Sequence, residues 1–496
     1  MFYSEHKILF ISFISLLPFY LAAQSSQFYN AIEKFENDKC LKAASWSLTI
    51  LNVDANNTVF EHNSDMVLAP ASTLKTVTTS SALAILGANF RFETMLQYDG
   101  FIDDEGVLHG NMYIKGGGDP TLGFLRNGWG NSYDKVLRTW LGFVRAAGIK
   151  KITGAVIGDA SIFETSTVSP YWLWEDIGNY YGAGACGLTF HENQYNLGLK
   201  PGKKTGAPTL VAGTDPALPG ITFVNEVITG NENTGDEAYL FCAPYSELIY
   251  IRGRIPRCDS TFYIMGTIPD PALFTAYTLH QYLKKNGIDI QLEPSTLGHL
   301  LKYPNDAQRS SIGSILSPPL HEIVYWANQK SINLYCEHLL KMIGYKVYKY
   351  GSAEAGLRAI HSIWKRKGIN LDSFFMMDGS GLSPVNAVST KHLAEILRST
   401  SYEAYFPYFD FSLSHAGDAR DHGSLRNHFV GTKAQRNLRA KSGYIERVRS
   451  YSGFVQNNCG ELLSFSFIVN NYTCDKSLLR EKMFAVMKTF AYLDAN

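Results

Sequence analysis

The chain has 496 residues, with 45 Lys+Arg against 45 Asp+Glu, and 45% of its residues are hydrophobic. That length can bury a large core and allows two or three domains. The balanced charge leaves no basic surplus to hold a polyanion, which sets nucleic-acid binding aside.

Met1 to Gln24 carries Lys7, an apolar run from Ile8 to Ala23 broken by Ser12, Ser15 and Pro18, and a small-residue end at Leu21-Ala22-Ala23. The run is short for a membrane span, so residues 1–23 read as a signal peptide and the protein as exported. No cysteine follows the cleavage point, so a lipid anchor is not expected, and no later segment reads as a transmembrane anchor. Phe28 to Phe35 reads as a short amphipathic helix. Ser45 to Val53 and Val59 to His62 read as strands joined by the turn-forming Asp54-Ala55-Asn56-Asn57. Pro70 then ends the extended chain, and Ser72 to Gly87 has the apolar spacing and closing glycine of a buried helix, with Ser72 in its first turn.

From Phe90 to about Asn305 the texture changes to short strands, many glycines and few long helices. Gly116-Gly117-Gly118-Asp119-Pro120-Thr121 lacks the lysine and Ser/Thr pair of a phosphate loop and reads as a structural turn. Asp270 to Lys285 reads as a helix closing this region. Longer helices return at His321 to Ile343, Ala353 to Lys367, Thr390 to Ser399 and Leu478 to Leu493. The strands Tyr451 to Gln456 and Leu462 to Asn470 lie before the last of them, whose apolar stripe is expected to pack on the sheet. Seven cysteines (Cys40, Cys186, Cys242, Cys258, Cys336, Cys459, Cys474) are too few for a disulfide-built fold. Cys242 and Cys258 could meet across a hairpin, and the spacings do not match a zinc site.

The chemistry centres on Pro70-Ala71-Ser72-Thr73-Leu74-Lys75. Residues i and i+3 share a helix face, so the Lys75 amine lies beside the Ser72 hydroxyl at a helix start whose free N–H groups favour negative charge. The spacing alone is weak, since Ser4/Lys7, Ser132/Lys135 and Ser362/Lys365 repeat it, and a capping serine before a surface lysine explains an isolated match. Downstream, Ser331-Ile332-Asn333 is the one Ser-x-Asn of the chain; its hydroxyl and amide can both enter a cleft only where the backbone leaves regular helix. Two Lys-Ser/Thr-Gly stretches follow. Lys204-Thr205-Gly206 sits in a loop bracketed by Pro201 and Pro208, whereas Lys441-Ser442-Gly443 precedes a hairpin and can be an edge strand open to a peptide. Lys441 is the better candidate.

Ser-x-x-Lys, Ser-x-Asn and Lys-Ser/Thr-Gly in this order form the signature set of penicillin-recognising serine enzymes. From about Ser45 to Tyr492 the chain resembles the penicillin-binding protein 4 type of D-alanyl-D-alanine carboxypeptidase and endopeptidase. The resemblance is also carried by Ile114 to Leu122, Trp172-Leu173-Trp174-Glu175-Asp176 and Asp378-Gly379-Ser380-Gly381-Leu382-Ser383. It implies an α/β (α+β) fold of the penicillin-binding/β-lactamase-like type, an antiparallel sheet flanked by helices with inserted β-rich domains. The catalytic domain would be formed by 24–92 and 308–496, with accessory domains at 93–307, the inner one at about 185–260. The implied activity is serine-type hydrolysis of D-Ala-D-Xaa bonds in peptidoglycan stem peptides and cross-links, with β-lactams as acylating inhibitors, no cofactor or metal, and a periplasmic setting.

The roles implied are nucleophile for Ser72, proton acceptor for Lys75, proton relay for Ser331 and amide holder for Asn333. Lys441 would be the second cation and, with Ser442, would receive the terminal carboxylate beside Gly443. Taking a lysine from about 10.4 to near 7 requires roughly three pH units, about 4 kcal/mol, which burial and a second cation can supply. Backbone N–H groups of Ser72 and Tyr444 would stabilise the oxyanion. Asp176, Tyr181 and Glu446 match residues that hold the diamino acid of the peptide. Pro384 stands where the family commonly has an arginine, a place that Arg447 or Arg449 could fill. The competing readings are a β-lactamase or penicillin-recognising esterase, which would release a β-lactam adduct quickly, and a non-catalytic peptidoglycan-binding protein, which would have no reason to keep the whole set.

Overall fold

The computed structural model describes residues 26–300 and 308–493, so the signal peptide expected at 1–23 lies outside the described residues. A six-stranded antiparallel sheet runs in the order Asn57–His62, Ser45–Asn52, Leu462–Asn470, Val448–Gln456, Arg439–Ile445 and Ser414–His415. Its first long strand therefore pairs with its last, with Trp46 opposite Val469 and Ile50 opposite Phe465. Both are buried over nearly their whole length, because helices cover both faces of the sheet.

On one face the helix at 26–36 and the helix Lys476–Met487 bury Phe28, Phe35, Trp46, Phe467 and Met483. The C-terminal stripe thus packs on the sheet, although the helix stops at Met487 and a separate turn, Phe490–Tyr492, follows it. On the other face lie Lys75–Leu86, Leu320–Gln329, Asn333–Tyr348, Ala353–Arg366 and Thr390–Ser401. Lys75–Leu86 is buried from Lys75 to Leu83 despite its run of hydroxyl residues. The hydroxyls are satisfied locally: Thr79 and Ser80 donate to the carbonyls of Lys75 and Thr76 at 2.6 and 2.7 Å, and Ser81 accepts from Trp364 Nε1 at 2.8 Å. Buried polar groups with partners carry little penalty, so a polar sequence can form a core helix.

Residues between Phe92 and Leu316 build a separate apolar cluster around Trp140, Phe190, Leu279 and Ile251. It is bounded by a mixed five-stranded sheet (Ser295–Thr296, Val156–Asp159, Met112–Lys115, Glu93–Tyr98, Ser310–Leu316) and by smaller sheets. Two long helices cross it. Pro271–Lys285 is the closing helix, capped by Asp270 accepting from Leu273 N–H at 2.9 Å. Tyr133–Ala146 is a second one that the strand-rich reading of this region did not anticipate, capped by Ser132 accepting from Lys135 N–H at 3.3 Å. The Ser132/Lys135 spacing is therefore a helix cap.

Two further expectations change. The continuous helix over His321 to Ile343 is broken between Gln329 and Asn333. All seven cysteines are free, so Cys242 and Cys258 do not bridge; the Cys40 thiol instead faces that of Cys474. Among the described residues no helix is long and apolar enough to cross a membrane.

Candidate active site

Ser72 lies in the 3-10 turn Ala71–Leu74, which leads directly into the helix Lys75–Leu86, one turn earlier than a helical position would put it. Ala71 holds the left-handed φ of +47°, a conformation costly for a residue with a side chain and kept here by its surroundings. Part of that support comes from the turn Asp378 to Ser383. A Cβ on Gly381 would meet the Ala71 carbonyl oxygen at 2.0 Å, so only glycine lets the turn pass so close. Asp378 fixes the turn by accepting from Gly381 N–H and Ser383 N–H at 2.7 Å each, from Trp172 Nε1 at 2.8 Å and from Asn386 Nδ2 at 3.0 Å.

Lys75 has no exposed surface. Its Nζ meets Ser72 Oγ at 3.0 Å, Asn333 Oδ1 at 2.6 Å and the Ser380 carbonyl at 2.6 Å. The Asn333 amide is oriented by its Nδ2, which donates to the Tyr181 carbonyl at 2.8 Å. Two of the three neighbours of Nζ can therefore only accept, while the third is a hydroxyl. A neutral amine gives its two hydrogens to Asn333 and Ser380, which leaves its lone pair facing the Ser72 hydroxyl. Burial pushes the Lys75 amine below its usual range, opposed by Cys336, Asp378 and Glu337.

Ser331 occupies the break between Leu320–Gln329 and Asn333–Tyr348, with φ of +56°. Leaving the helix there lets its hydroxyl and the Asn333 amide enter one cleft. Lys441, on the strand Arg439–Ile445, donates to Ser331 Oγ at 3.0 Å and to the Ser442 carbonyl at 2.7 Å. It is 2% exposed, and burial, with the nearby Lys75 charge adding, drives its amine well below the ordinary lysine value. Ser442 Oγ accepts from Ser424 Oγ at 2.8 Å. Gly443 presses on the Ser72 turn: a Cβ there would lie 2.2 Å from Ser450 Oγ, 2.7 Å from the Pro70 carbonyl oxygen and 3.0 Å from Ser72 N. Among the described residues the short strand Ser414–His415 covers only Ala440 and Arg439, so the outer edge from Lys441 to Ile445 has no strand partner. Lys204, by contrast, is exposed in an outer loop where Gly206 N–H donates to the Thr229 carbonyl.

Ser72, Ser331 and Asn333 face a cleft of about 1090 Å³, whose lining does not include Lys75, Lys441, Ser442 or Gly443. Tyr444, Asp176, Tyr181 and Glu446 line it with them. Tyr181 hydrogen-bonds Asp176; burial raises both groups, and the Asp176 carboxylate adds to the rise at Tyr181. Pro384 reaches the cleft, whereas Arg447 and Arg449 are not among its walls; Arg449 stacks its guanidinium 5.6 Å from the Tyr444 ring. The basic residue on that side is Lys476, whose Nζ is 5.3 Å from the Tyr444 ring. Sequence reasoning also missed Arg126 and Lys330 in the cleft wall and the Ser380 carbonyl on Lys75. A backbone acceptor leaves no residue-type signal, and Arg126 arrives on the hairpin of Leu125–Arg126 with Trp129–Gly130.

Chains of known relationship share this architecture. The solved penicillin-binding protein 4 of Haemophilus influenzae superposes with a TM-score of 0.76 at 23% identity, covering 90% of this chain and 95% of that one. Its complex with a β-lactam gives 0.74 at 22% identity, over 92% and 97% of the two chains. In sequence, the D-alanyl-D-alanine carboxypeptidase DacB of H. influenzae is 25% identical over 425 residues, 85% of this chain and 84% of the relative. The D-alanyl-D-alanine carboxypeptidase of Actinomadura sp. (strain R39) is 24% identical over 475 residues, 94% and 85%. A match that runs over residues 28–491, from the helix beneath the sheet to the last turn, takes in every group of the cleft, and the chain belongs to the D-Ala-D-Ala carboxypeptidase 3 (S13) family.

Proposed function

We propose that the protein is a serine-type D-Ala-D-Ala carboxypeptidase and DD-endopeptidase that cleaves peptidoglycan stem peptides and cross-links outside the cytoplasm, in the periplasm. The observation that carries the mechanism is the fully buried Lys75 amine, 3.0 Å from Ser72 Oγ and hydrogen-bonded to two pure acceptors. Lys75 Nζ takes the Ser72 proton as Oγ attacks the carbonyl of the D-Ala-D-Xaa bond. Backbone N–H groups of Ser72 and Tyr444 receive the oxyanion, each donor worth a few kcal/mol of barrier. Collapse breaks the C–N bond, and the proton reaches the leaving amine through Ser331, which Lys441 holds. Water then attacks the ester and restores Ser72. Lys441 and Ser442 take the terminal carboxylate, Asn333 the peptide amide, and Asp176, Tyr181 and Glu446 a polar side chain of the donor peptide. The strand edge at 441–445, which has no strand partner among the described residues, supports an extended peptide lying along it. A β-lactam, carrying a strained amide and a carboxylate, acylates the same serine.

Intact-protein mass after benzylpenicillin, followed over time on wild type and Ser72→Ala, tests this. A long-lived penicilloyl adduct that needs Ser72 is expected. Rapid release with drug turnover would make the protein a β-lactamase, and a folded wild type that never forms the adduct would overturn the serine mechanism.

A further inference from the structure

Glu337 lies one turn beyond Asn333 on the helix Asn333–Tyr348, so it points to the same side as the amide that holds Lys75. It is 5% exposed. Its Oε2 accepts from Gly379 N–H at 3.1 Å, while the Gly379 carbonyl accepts from the Thr78 hydroxyl at 2.6 Å. The residue thus clamped from both sides is followed by Ser380, whose carbonyl receives Lys75 Nζ. Gly379 has no room for adjustment, since a Cβ there would meet the Cys336 carbonyl oxygen at 2.6 Å. The mechanism above gives this carboxyl no task, yet it is buried beneath the base.

We propose that Glu337 is a positioning residue: it holds the Gly379–Ser380 peptide so that the Ser380 carbonyl meets Lys75, and its ionisation sets how readily Lys75 gives up its proton. The inference rests on Lys75 being the proton acceptor for Ser72. Burial first, and then the neighbouring Asp378, push the Glu337 carboxyl up to about 7. The charged and titratable groups around it are Lys75 from the nucleophile helix, Asp378 from the glycine-rich turn, and Cys336 and Lys341 from its own helix. An ionised Glu337 stabilises the Lys75 ammonium, so the two groups titrate as a pair and the acid limb of acylation belongs to both.

The test is the second-order rate of acylation by a chromogenic or fluorescent β-lactam, measured from pH 5 to pH 9 on wild type, Glu337→Gln and Glu337→Asp. Gln keeps an oxygen for Gly379 N–H and cannot ionise. Its plateau is expected within about threefold of wild type, with the acid limb moved toward lower pH by about half a unit or more. Asp keeps the charge and withdraws the acceptor, so its limb stays while its plateau falls by about tenfold. A Gln variant with an unmoved limb overturns the electrostatic role, and an Asp variant with a wild-type plateau overturns the clamp. If Gln does not fold, Asp alone decides: a displaced limb or an unchanged plateau refutes the proposal. Failure of the underlying reading shows separately, as a folded Lys75→Met protein acylated at the wild-type rate or an adduct that survives Ser72→Ala.

Discussion

Replacing Gly443 with alanine is the sharpest available probe of how the strand and the nucleophile are held together. The new Cβ would be 2.2 Å from Ser450 Oγ, 2.7 Å from the Pro70 carbonyl oxygen and 3.0 Å from Ser72 N. Ordinary contact needs about 3.4 Å, so the strand must retreat by about 0.7 Å from Pro70 even if Ser450 yields. Ser450 is not free to yield, because its hydroxyl donates to the Pro70 carbonyl at 2.5 Å and accepts from Thr73 Oγ1 at 3.2 Å. A retreat of that size moves the Tyr444 N–H away from the oxyanion, and misplacement of about 1 Å costs on the order of 100-fold in rate. The clash is confined to one strand edge, so the fold persists with a loss of about 1–3 kcal/mol. Stopped-flow acylation together with thermal unfolding measures both effects. Adding Ser450→Ala removes the 2.2 Å contact but not the one with Pro70, so it recovers only part of the rate. A Gly443→Ala protein acylated at the wild-type rate would refute the proposition that this strand supplies part of the oxyanion site.

Two other outcomes follow from the buried charges. Lys441→Met removes the buried amine that donates to Ser331 Oγ at 3.0 Å, so the relay loses its support and acylation slows by about tenfold or more, read from the same rate profile. Asp119 is buried, accepts from Thr121 N–H and Oγ1 at 2.8 and 2.7 Å, and has its carboxyl raised by burial to about 6. The folded state thus binds more protons than the unfolded state between the ordinary value of 3.8 and about 6, and stability falls as pH rises through that window. Asp119→Asn keeps an acceptor and removes the ionisation, so the unfolding free energies obtained from urea titrations at pH 4 and pH 7 draw together, by an amount on the order of 2 kcal/mol.

The face shared by Ser72 and Lys75 was readable because i and i+3 neighbours meet in a helix and in a 3-10 turn alike. Choosing Lys441 over Lys204 depended on context, a strand before a hairpin against a loop between prolines. The strands Ser45–Asn52 and Leu462–Asn470 announced themselves as aromatic and β-branched runs, yet their pairing with each other is set by the distant helices that bury both faces. The break at Ser331 was visible only as a chemical demand, since Trp326 to Leu340 keeps helical apolar spacing across it. Tyr133–Ala146 was overlooked although Ser132 and Asp134 mark its start, because the strands around it dominated the reading. Glu337 lies four residues after Asn333, but nothing in residue type distinguishes a clamp on Gly379 from a surface carboxylate.

The pairing of the first long strand with the last has a temporal meaning. Ser72 follows the strand Ser45–Asn52 closely, whereas Lys441 and the strands that hold it come only after residue 438, and the sheet closes when Leu462–Asn470 docks on Ser45–Asn52. Such distant pairings are slow to form, and this one cannot begin before residues 462–470 have been made. Ser72 and Lys75 are therefore made early and enclosed last, so a partly delivered chain carries the proposed nucleophile and base without Lys441 and the strand edge that complete the cleft.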